Sequence, residues 1–339
     1  MLKDILEQVL RGEDLSRDQA ASAVHAIMEG QCDPHRIAAL LAALRAKGES
    51  GTELAGMAEA MRAHAVAVQT DRGPLIDTCG TGGDGAHTVN ISTAAALVAA
   101  AGGAVVAKHG NRSVSSRCGS ADVLEALGVQ VGGSAQDVAR CIQEAGIGFL
   151  FAPAHHPAMK HVMPVRRALG IRTAFNLLGP MTNPAGARRQ VVGVFSPDYT
   201  EVIARALGEL GSEHVLVVCG DDGWGKPLDE ISTCGPTSGW ELLDGHLREL
   251  HFDPQGLGVT KASIEDLRGG DAAENAAILE AVFQGLEGPV ADAIAVNAGA
   301  ALYVADQAVH VQEGVDRARE LLATGRVMKT LDKLRRATA

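Results

Sequence analysis

Apolar residues recur at helical spacing through the opening of the chain. Leu2, Ile5, Leu6, Val9 and Leu10 share one face of a helix. Ser16 with Gln19 is a capping-box pair that opens a second helix running toward Met28. Asp33-Pro34 places a cap and a first-turn proline ahead of an apolar stretch from Ile37 to Leu44. Ser50 with Glu53 repeats the capping signature for a fourth helix. No alternating pattern interrupts this region, so residues 1–66 are predicted to form a small all-helical domain.

The texture changes at Asp71-Arg72-Gly73-Pro74. Short apolar runs at residues 75–79, 104–107, 147–151, 191–195 and 214–219 predict strands. Helical patterns at residues 88–101, 121–127, 135–145, 199–210 and 274–283 lie between and after them. Such alternation implies crossover units on a mainly parallel sheet. The fold class is therefore α/β, with a large α/β domain over residues 71–339 beside the helical one. The polar, basic stretch 157–172 is either a hinge or a second crossing, and part of 157–185 is assigned to the helical domain. Open sheets of this type bind ligands at the carboxyl ends of their strands, so the informative motifs should follow strands.

Composition adds three exclusions. The net charge of −11 repels nucleic acid and anionic membrane, so neither is expected as a partner. The longest apolar run, residues 94–107, is broken at Gly102-Gly103 and is too short to cross a membrane. The six cysteines are scattered, with no zinc-finger spacing, as suits a reducing compartment. With an amphipathic first turn and no signal-peptide pattern, the expected location is cytoplasmic. Only 3% of residues are aromatic and 40 are glycine, which suits a core of small aliphatics with many tight turns.

After the first predicted strand comes Gly80-Thr81-Gly82-Gly83-Asp84-Gly85, then a helix. Gly80, Gly82 and Gly85 satisfy G-x-G-x-x-G, and strand–loop–helix is the right context for a phosphate cradle. A dinucleotide site would need an acidic residue at the end of the second strand. That position instead opens the loop Lys108-His109-Gly110-Asn111-Arg112-Ser113-Val114-Ser115-Ser116. Its cations, hydroxyls and amide suit a phosphate and a ribose together. Asn90-Ile91-Ser92-Thr93 lies between the loops at a helix start, where hydroxyls serve either as caps or as phosphate and metal contacts.

Asp229-Glu230 follows the predicted strand 214–219. Alone the pair reads as surface charge; beside two anion loops it reads as a magnesium site, since Mg2+ takes one or two carboxylates with phosphate oxygens and water. Asp221-Asp222 competes, although Asp-Asp-Gly reads as a turn. His155, His156 and His161 lack the spacing and the interleaved acid or thiolate of a zinc site. Arg166, Arg167 and Arg172 nearby offer guanidinium groups to a carboxylate ligand, or form an exposed basic face.

Taken together, these motifs resemble the anthranilate phosphoribosyltransferase family. The likeness runs through Gly80–Asp84, Asn90-x-Ser92-Thr93, the loop from Lys108 to Ser116, and Cys118-Gly119-Ser120-Ala121-Asp122. It continues in His156-Pro157-Ala158-Met159, Arg172-Thr173-x-Phe175-Asn176-Leu177-Leu178-Gly179-Pro180 and Leu228-Asp229-Glu230-Ile231-Ser232. The resemblance implies a homodimer of the nucleoside phosphorylase and phosphoribosyltransferase fold type. It implies transfer of phosphoribosyl from phosphoribosyl pyrophosphate to the anthranilate amine, a step of tryptophan biosynthesis. By position, Gly80, Gly83, Asp84, Thr88, Asn90, Ser92, Thr93, the Lys108–Ser116 loop and Ser120 would hold phosphoribosyl pyrophosphate. Ser92, Asp229 and Glu230 would serve Mg2+, and Gly80, Asn111 and Arg166 would contact anthranilate. Arg117 stands where the family often has Lys, Met181 replaces a usual Leu, and the segment 223–227 is longer than typical.

Catalysis of this kind rests on stabilising the departing pyrophosphate and aligning the amine. No residue stands out as an obligatory general base; His109 is the candidate by sequence. The rival readings are a pyrimidine nucleoside phosphorylase and a non-catalytic nucleic-acid binder of the same fold.

Overall fold

The computed structural model describes residues 1–113 and 117–339. Four helices open the chain: α1 (Leu2–Leu10), α2 (Arg17–Met28), α3 (Pro34–Lys47) and α4 (Gly51–Ala63). The caps read from sequence form. Ser16 and Ser50 close reciprocal capping boxes with Gln19 and Glu53, and Asp33 accepts from the amides of His35 and Arg36. Each such cap stabilises its helix by about 1 kcal/mol.

The chain then alternates strand and helix. In order come β1 (Leu75–Gly80), α5 (Ile91–Ala101), β2 (Val105–Gly110), α6 (Ser120–Ala126), α7 (Ala135–Ala145) and β3 (Ile147–Phe151). Short helices α8 (Ala152–His155), α9 (Met163–Leu169) and α10 (Ala174–Leu177) follow, then β4 (Arg189–Gly193) and α11 (Thr200–Glu209). Four strands come next: β5 (His214–Asp221), β6 (Pro227–Leu228), β7 (Thr237–Leu243) and β8 (His246–Phe252). Helices α12 (Ala272–Phe283), α13 (Pro289–Val304), α14 (Val311–Ala323) and α15 (Arg326–Thr338) complete the domain.

The sheet runs β3-β2-β1-β4-β5-β7-β8, with β6 paired to β5. The strands from β3 through β5 are parallel; β6, β7 and β8 join antiparallel. Residues alternate between two apolar layers, as strand geometry requires. Val191, Leu216 and Val218 face a core built with α5 and α12–α15. Val192, Val215 and Val217 face a second core shared with α1–α4, α9, α10 and α11. Both faces are covered, which is why these strands read as continuous apolar runs. Val162 and Val165 lie in that second core, so the segment carrying α9 packs with the helical bundle.

Two boundaries differ from the sequence expectation in ways that matter for function. α5 starts at Ile91, not residue 88, because residues 81–90 form a loop that includes three positive-φ glycines. β2 continues to Gly110, since its ladder with β3 pairs Lys108 with Phe149 and His109 with Leu150. Lys108 and His109 are therefore buried strand residues instead of loop residues. The hairpin of β7 and β8 and helices α13 to α15 went unread in the sequence.

Candidate active site

The carboxyl ends of β1, β4 and β5 meet around one acidic pair. Asp229 crosses directly over Gly193 and Gly80. A Cβ at Gly193 would overlap the Asp229 carbonyl, and one at Gly80 would overlap its carboxylate. Glycine is required at both positions by the close approach of the other backbone. Asp229 Oδ2 accepts the amide of Gly82 at 2.6 Å, inside the glycine loop. The Asp229 amide lies 3.5 Å from Asp84 Oδ2, so Asp84 faces the same pair.

Glu230 turns to the start of α5, where its Oε1 accepts the Ser92 amide at 3.1 Å. The free amides of a helix start favour this carboxylate. The Ser92 carbonyl in turn accepts the Thr78 hydroxyl at 2.9 Å. Behind them, Lys108 Nζ donates to the Thr78 carbonyl. Asn297 of α13 fixes the next residue. Its Oδ1 accepts the Ile231 amide at 2.9 Å, and its Nδ2 donates to the Ile231 carbonyl at 3.0 Å.

The electrostatics explain what this arrangement wants. Burial, with the charges of Asp84 and Glu230, raises the Asp229 carboxyl well above its ordinary range. Burial also pushes Glu230 up to about 7, against the pull of Lys108. Both acids keep part of their surface open, so they remain reachable. Crowded like charges in a poorly solvated place call for a cation. Among the described residues no group of three or more His, Cys, Asp or Glu could hold a metal ion unaided. The pair fits Mg2+ nonetheless, because that ion commonly takes one or two carboxylates and completes its shell with phosphate and water.

Around Lys108 lies a buried polar layer that sequence reading missed. Asp77 Oδ1 accepts the His109 amide at 3.1 Å, and Oδ2 accepts Asn183 Nδ2 at 2.8 Å. Burial raises the Asp77 carboxyl and lowers the Lys108 ammonium, while each charge opposes the other's shift. A polar residue inside an apolar strand, as at Asp77, was the available signal.

His109 Nδ1 meets the Gly179 carbonyl at 3.2 Å, and its ring sits 5.2 Å from that of His156. Burial and His156 lower its pKa to about 3. A neutral imidazole of that kind holds a proton poorly near neutrality, which disfavours the general-base role considered from sequence. Its buried Nε2 has no partner among the described residues and can accept a hydrogen bond.

The second loop is braced by α6. Ser120 Oγ donates to the Asn111 carbonyl at 3.1 Å and accepts its amide at 3.2 Å. Arg112 pairs with Asp122 at 3.0 Å and with Glu125 at 2.7 Å. Its charge is thus directed to α6, where sequence reading had it offered to the ligand. The Ser113 amide donates to Asp122 at 3.1 Å. Val114, Ser115 and Ser116 lie outside the described residues. Gly110 ends β2 at the mouth of this loop.

The remaining candidates divide. Asn90 bridges to the Cys118 carbonyl at 3.2 Å and to Asn275 at 2.9 Å, and does not cap α5 with its side chain. Thr88 bridges to Arg268, and Thr93 is buried within α5. Asp221 and Asp222 accept the amides of Gly223, Trp224, Gly225 and Lys226, and so form the turn their sequence suggested. Arg166 lies on α9 with its guanidinium carbon 5.8 Å from the Phe175 centroid and no carboxylate partner among the described residues. Burial lowers its pKa. Arg172 Nη2 donates to the Gly83 carbonyl and joins this segment to the glycine loop. A separate cavity of about 280 Å³, lined by Arg62, Gln69 and Asn183 among others, opens at the far end of β1, away from the acids.

Residues 3–65 match the helical bundle domain of a glycosyl transferase family, and residues 72–328 match that family's α/β domain. Among curated relatives, the chain is 51% identical over 339 residues to the anthranilate phosphoribosyltransferase of Rubrobacter xylanophilus, covering 100% of this chain and 98% of that one. It is 48% identical over 337 residues to that of Symbiobacterium thermophilum, covering 99% and 98%. Among solved structures, the enzyme of that name from Thermus thermophilus superposes with a TM-score of 0.92 at 46% identity, covering 98% of each chain. The Saccharomyces cerevisiae enzyme, in complex with phosphoribosyl pyrophosphate and magnesium, superposes at 0.90 with 27% identity, covering 99% and 97%. Matched along nearly its whole length in both sequence and fold, the chain belongs to the anthranilate phosphoribosyltransferase family.

Proposed function

We propose that the cleft at the ends of β1, β4 and β5 is where this chain carries out its family's reaction. That reaction transfers the phosphoribosyl group of phosphoribosyl pyrophosphate to the amine of anthranilate, in tryptophan biosynthesis. The observation that carries this placement is the contact of Asp229 with Gly82 and of Glu230 with Ser92. It sets two carboxylates against a glycine loop and a helix start, the pairing that a metal-bound pyrophosphate needs.

Asp229, Glu230 and Ser92 would hold Mg2+, which when bound supplies positive charge to the leaving pyrophosphate. Gly80, Gly83, Asp84, Thr88, Asn90, Ser92, Thr93, residues 108–116 and Ser120 form the proposed phosphoribosyl pyrophosphate site. Within it the loop amides orient phosphate oxygens, and buried Lys108 contributes fixed positive charge behind the acids. Gly80, Asn111 and Arg166 are proposed to receive anthranilate, with the guanidinium of Arg166, which has no carboxylate partner among the described residues, taking its carboxylate in a bidentate pair. His109, neutral and with no partner for its buried Nε2 among the described residues, would accept a hydrogen bond there instead of removing a proton. No strong base is needed, because an aromatic amine attacks as the neutral species once aligned.

The test is direct. Anthranilate fluorescence should decay when phosphoribosyl pyrophosphate and Mg2+ are added to the protein, and should persist when either is omitted. Persistence with both present would overturn the reading. The homodimer implied by the resemblance is checked separately by light scattering.

A further inference from the structure

We infer that Arg172 is a positioning residue that couples the acceptor side of the cleft to the pyrophosphate loop, an inference that rests on the functional reading above. Arg172 lies between α9 and α10, one residue before Thr173 and three before Phe175. Its Nη2 donates to the Gly83 carbonyl. The guanidinium carbon stands 4.0 Å from the centroid of Phe195, which follows β4. The Phe195 amide donates to Thr81 Oγ1 at 3.1 Å, and the Thr81 amide donates to the Gly193 carbonyl at 2.9 Å. The glycine loop is thus held at Thr81 by the β4 end and at Gly83 by an arginine stacked on that same end.

Gly83 accommodates this contact because it lacks a side chain. Its φ is +82°, and a Cβ there would stand 2.9 Å from Arg172 Nη2. The contact also fixes the orientation of the peptide between Gly83 and Asp84. A planar trans peptide points its N–H opposite to its C=O. With the Gly83 carbonyl held by Arg172, the Asp84 amide faces the other way, and it has no acceptor among the described residues. Arg172 therefore turns the Asp84 amide away from itself, without an acceptor among the described residues and so available to an anion.

The other end of the coupling is α9. Val162 and Val165 pack α9 with the helical bundle, and the guanidinium carbon of Arg166 on α9 lies 5.8 Å from the Phe175 centroid. Two arginine–aromatic contacts, the longer Arg166–Phe175 and the stacked Arg172–Phe195, are joined by a handful of residues. A carboxylate that draws on Arg166 acts on the backbone that carries Arg172, and through it on Gly83. By linkage each ligand then tightens the other by the same factor. Lysine cannot replace the arginine here, because it lacks the planar group that stacks and donates at once.

The experiment is calorimetric titration of phosphoribosyl pyrophosphate with Mg2+, with and without benzoate, an aromatic carboxylate that lacks the reactive amine. The wild type should show each ligand tightening the other by at least about fivefold. In Arg172→Gln this factor should fall to within about twofold of unity, and phosphoribosyl pyrophosphate should bind about tenfold more weakly. Arg172→Lys should recover less than half of either loss, and Phe195→Leu, which removes the stack from the opposite side, should reduce the coupling independently. Coupling that is absent in the wild type, or retained in both Arg172→Gln and Phe195→Leu, would overturn the inference alone. A wild type that binds neither ligand would overturn the functional reading along with it.

Discussion

The amide of Gly82 and the carboxylate of Asp229 meet at 2.6 Å although 147 residues separate them in the chain. That one contact joins the loop after β1 to the segment after β6. It brings the proposed phosphate-binding loop and the acidic pair together at the carboxyl ends of β1 and β4. Four predictions about this site and the core around it can be measured.

Gly193→Ala should remove both stability and activity. The new methyl would overlap the Asp229 carbonyl, so the acidic segment must shift. Overpacking of this kind costs about 1–3 kcal/mol. Thermal unfolding should show a lowered midpoint, and the apparent magnesium affinity should fall in the same variant. A variant with unchanged midpoint and metal affinity would show that the contact is not needed.

Glu230→Gln keeps the shape of the side chain and its bond to the Ser92 amide, but removes the charge. Turnover at limiting Mg2+ should fall about 100-fold or more, with partial recovery as Mg2+ is raised. Chelation of Mg2+ should abolish turnover by the wild type. Steady-state rates across a magnesium series decide this.

The buried histidines predict a pH dependence of stability. Burial lowers the pKa of His156 to about 4, from 6.5 in the unfolded chain. Below pH 6.5 the unfolded state binds a proton that the folded state refuses. The contribution is therefore full above that pH and is lost as pH falls toward 4, at up to about 1.4 kcal/mol per pH unit. Glu230, raised to about 7, acts with the opposite sign over part of this range. The comparison that isolates the histidine is wild type against His156→Gln. The variant's denaturant-unfolding free energy should fall less steeply between pH 6.5 and 4. Parallel curves would refute the assignment.

Asn297→Ala should act at a distance from any ligand. It leaves the buried amide and carbonyl of Ile231 without their partners, at about 1–3 kcal/mol for each unsatisfied group. Because Ile231 adjoins Glu230, the Michaelis constant for phosphoribosyl pyrophosphate should rise along with the loss of stability. Substitution of exposed Arg167 serves as the neutral control.

Much of this was legible in the chain, where local chemistry suffices. Ser16 with Gln19, Ser50 with Glu53, and Asp33-Pro34 fixed helix starts because a cap is made within one turn. The β7–β8 hairpin carried a signal that went unread. Asp244-Gly245 adopts positive φ at both residues, the turn that Asp-Gly favours between antiparallel strands. β8 was obscured by its composition, because residues such as His246, Arg248 and His251 leave it partly exposed at the sheet edge.

By itself the sequence determined the two-part architecture, the loops that follow strands, and the acids at 229 and 230, since periodicity, caps and glycine runs are properties of neighbouring residues. Only the tertiary structure decided how those pieces are used. Lys108 lies inside a strand behind the acids because the β2–β3 ladder runs on to Gly110. Arg112 is drawn to Asp122 and Glu125 because α6 folds back beside the loop. Arg172 reaches Gly83 because the chain returns from the helical bundle past the end of β4. Contacts between residues distant in the chain are set by which elements pack together, and no local pattern contains that information.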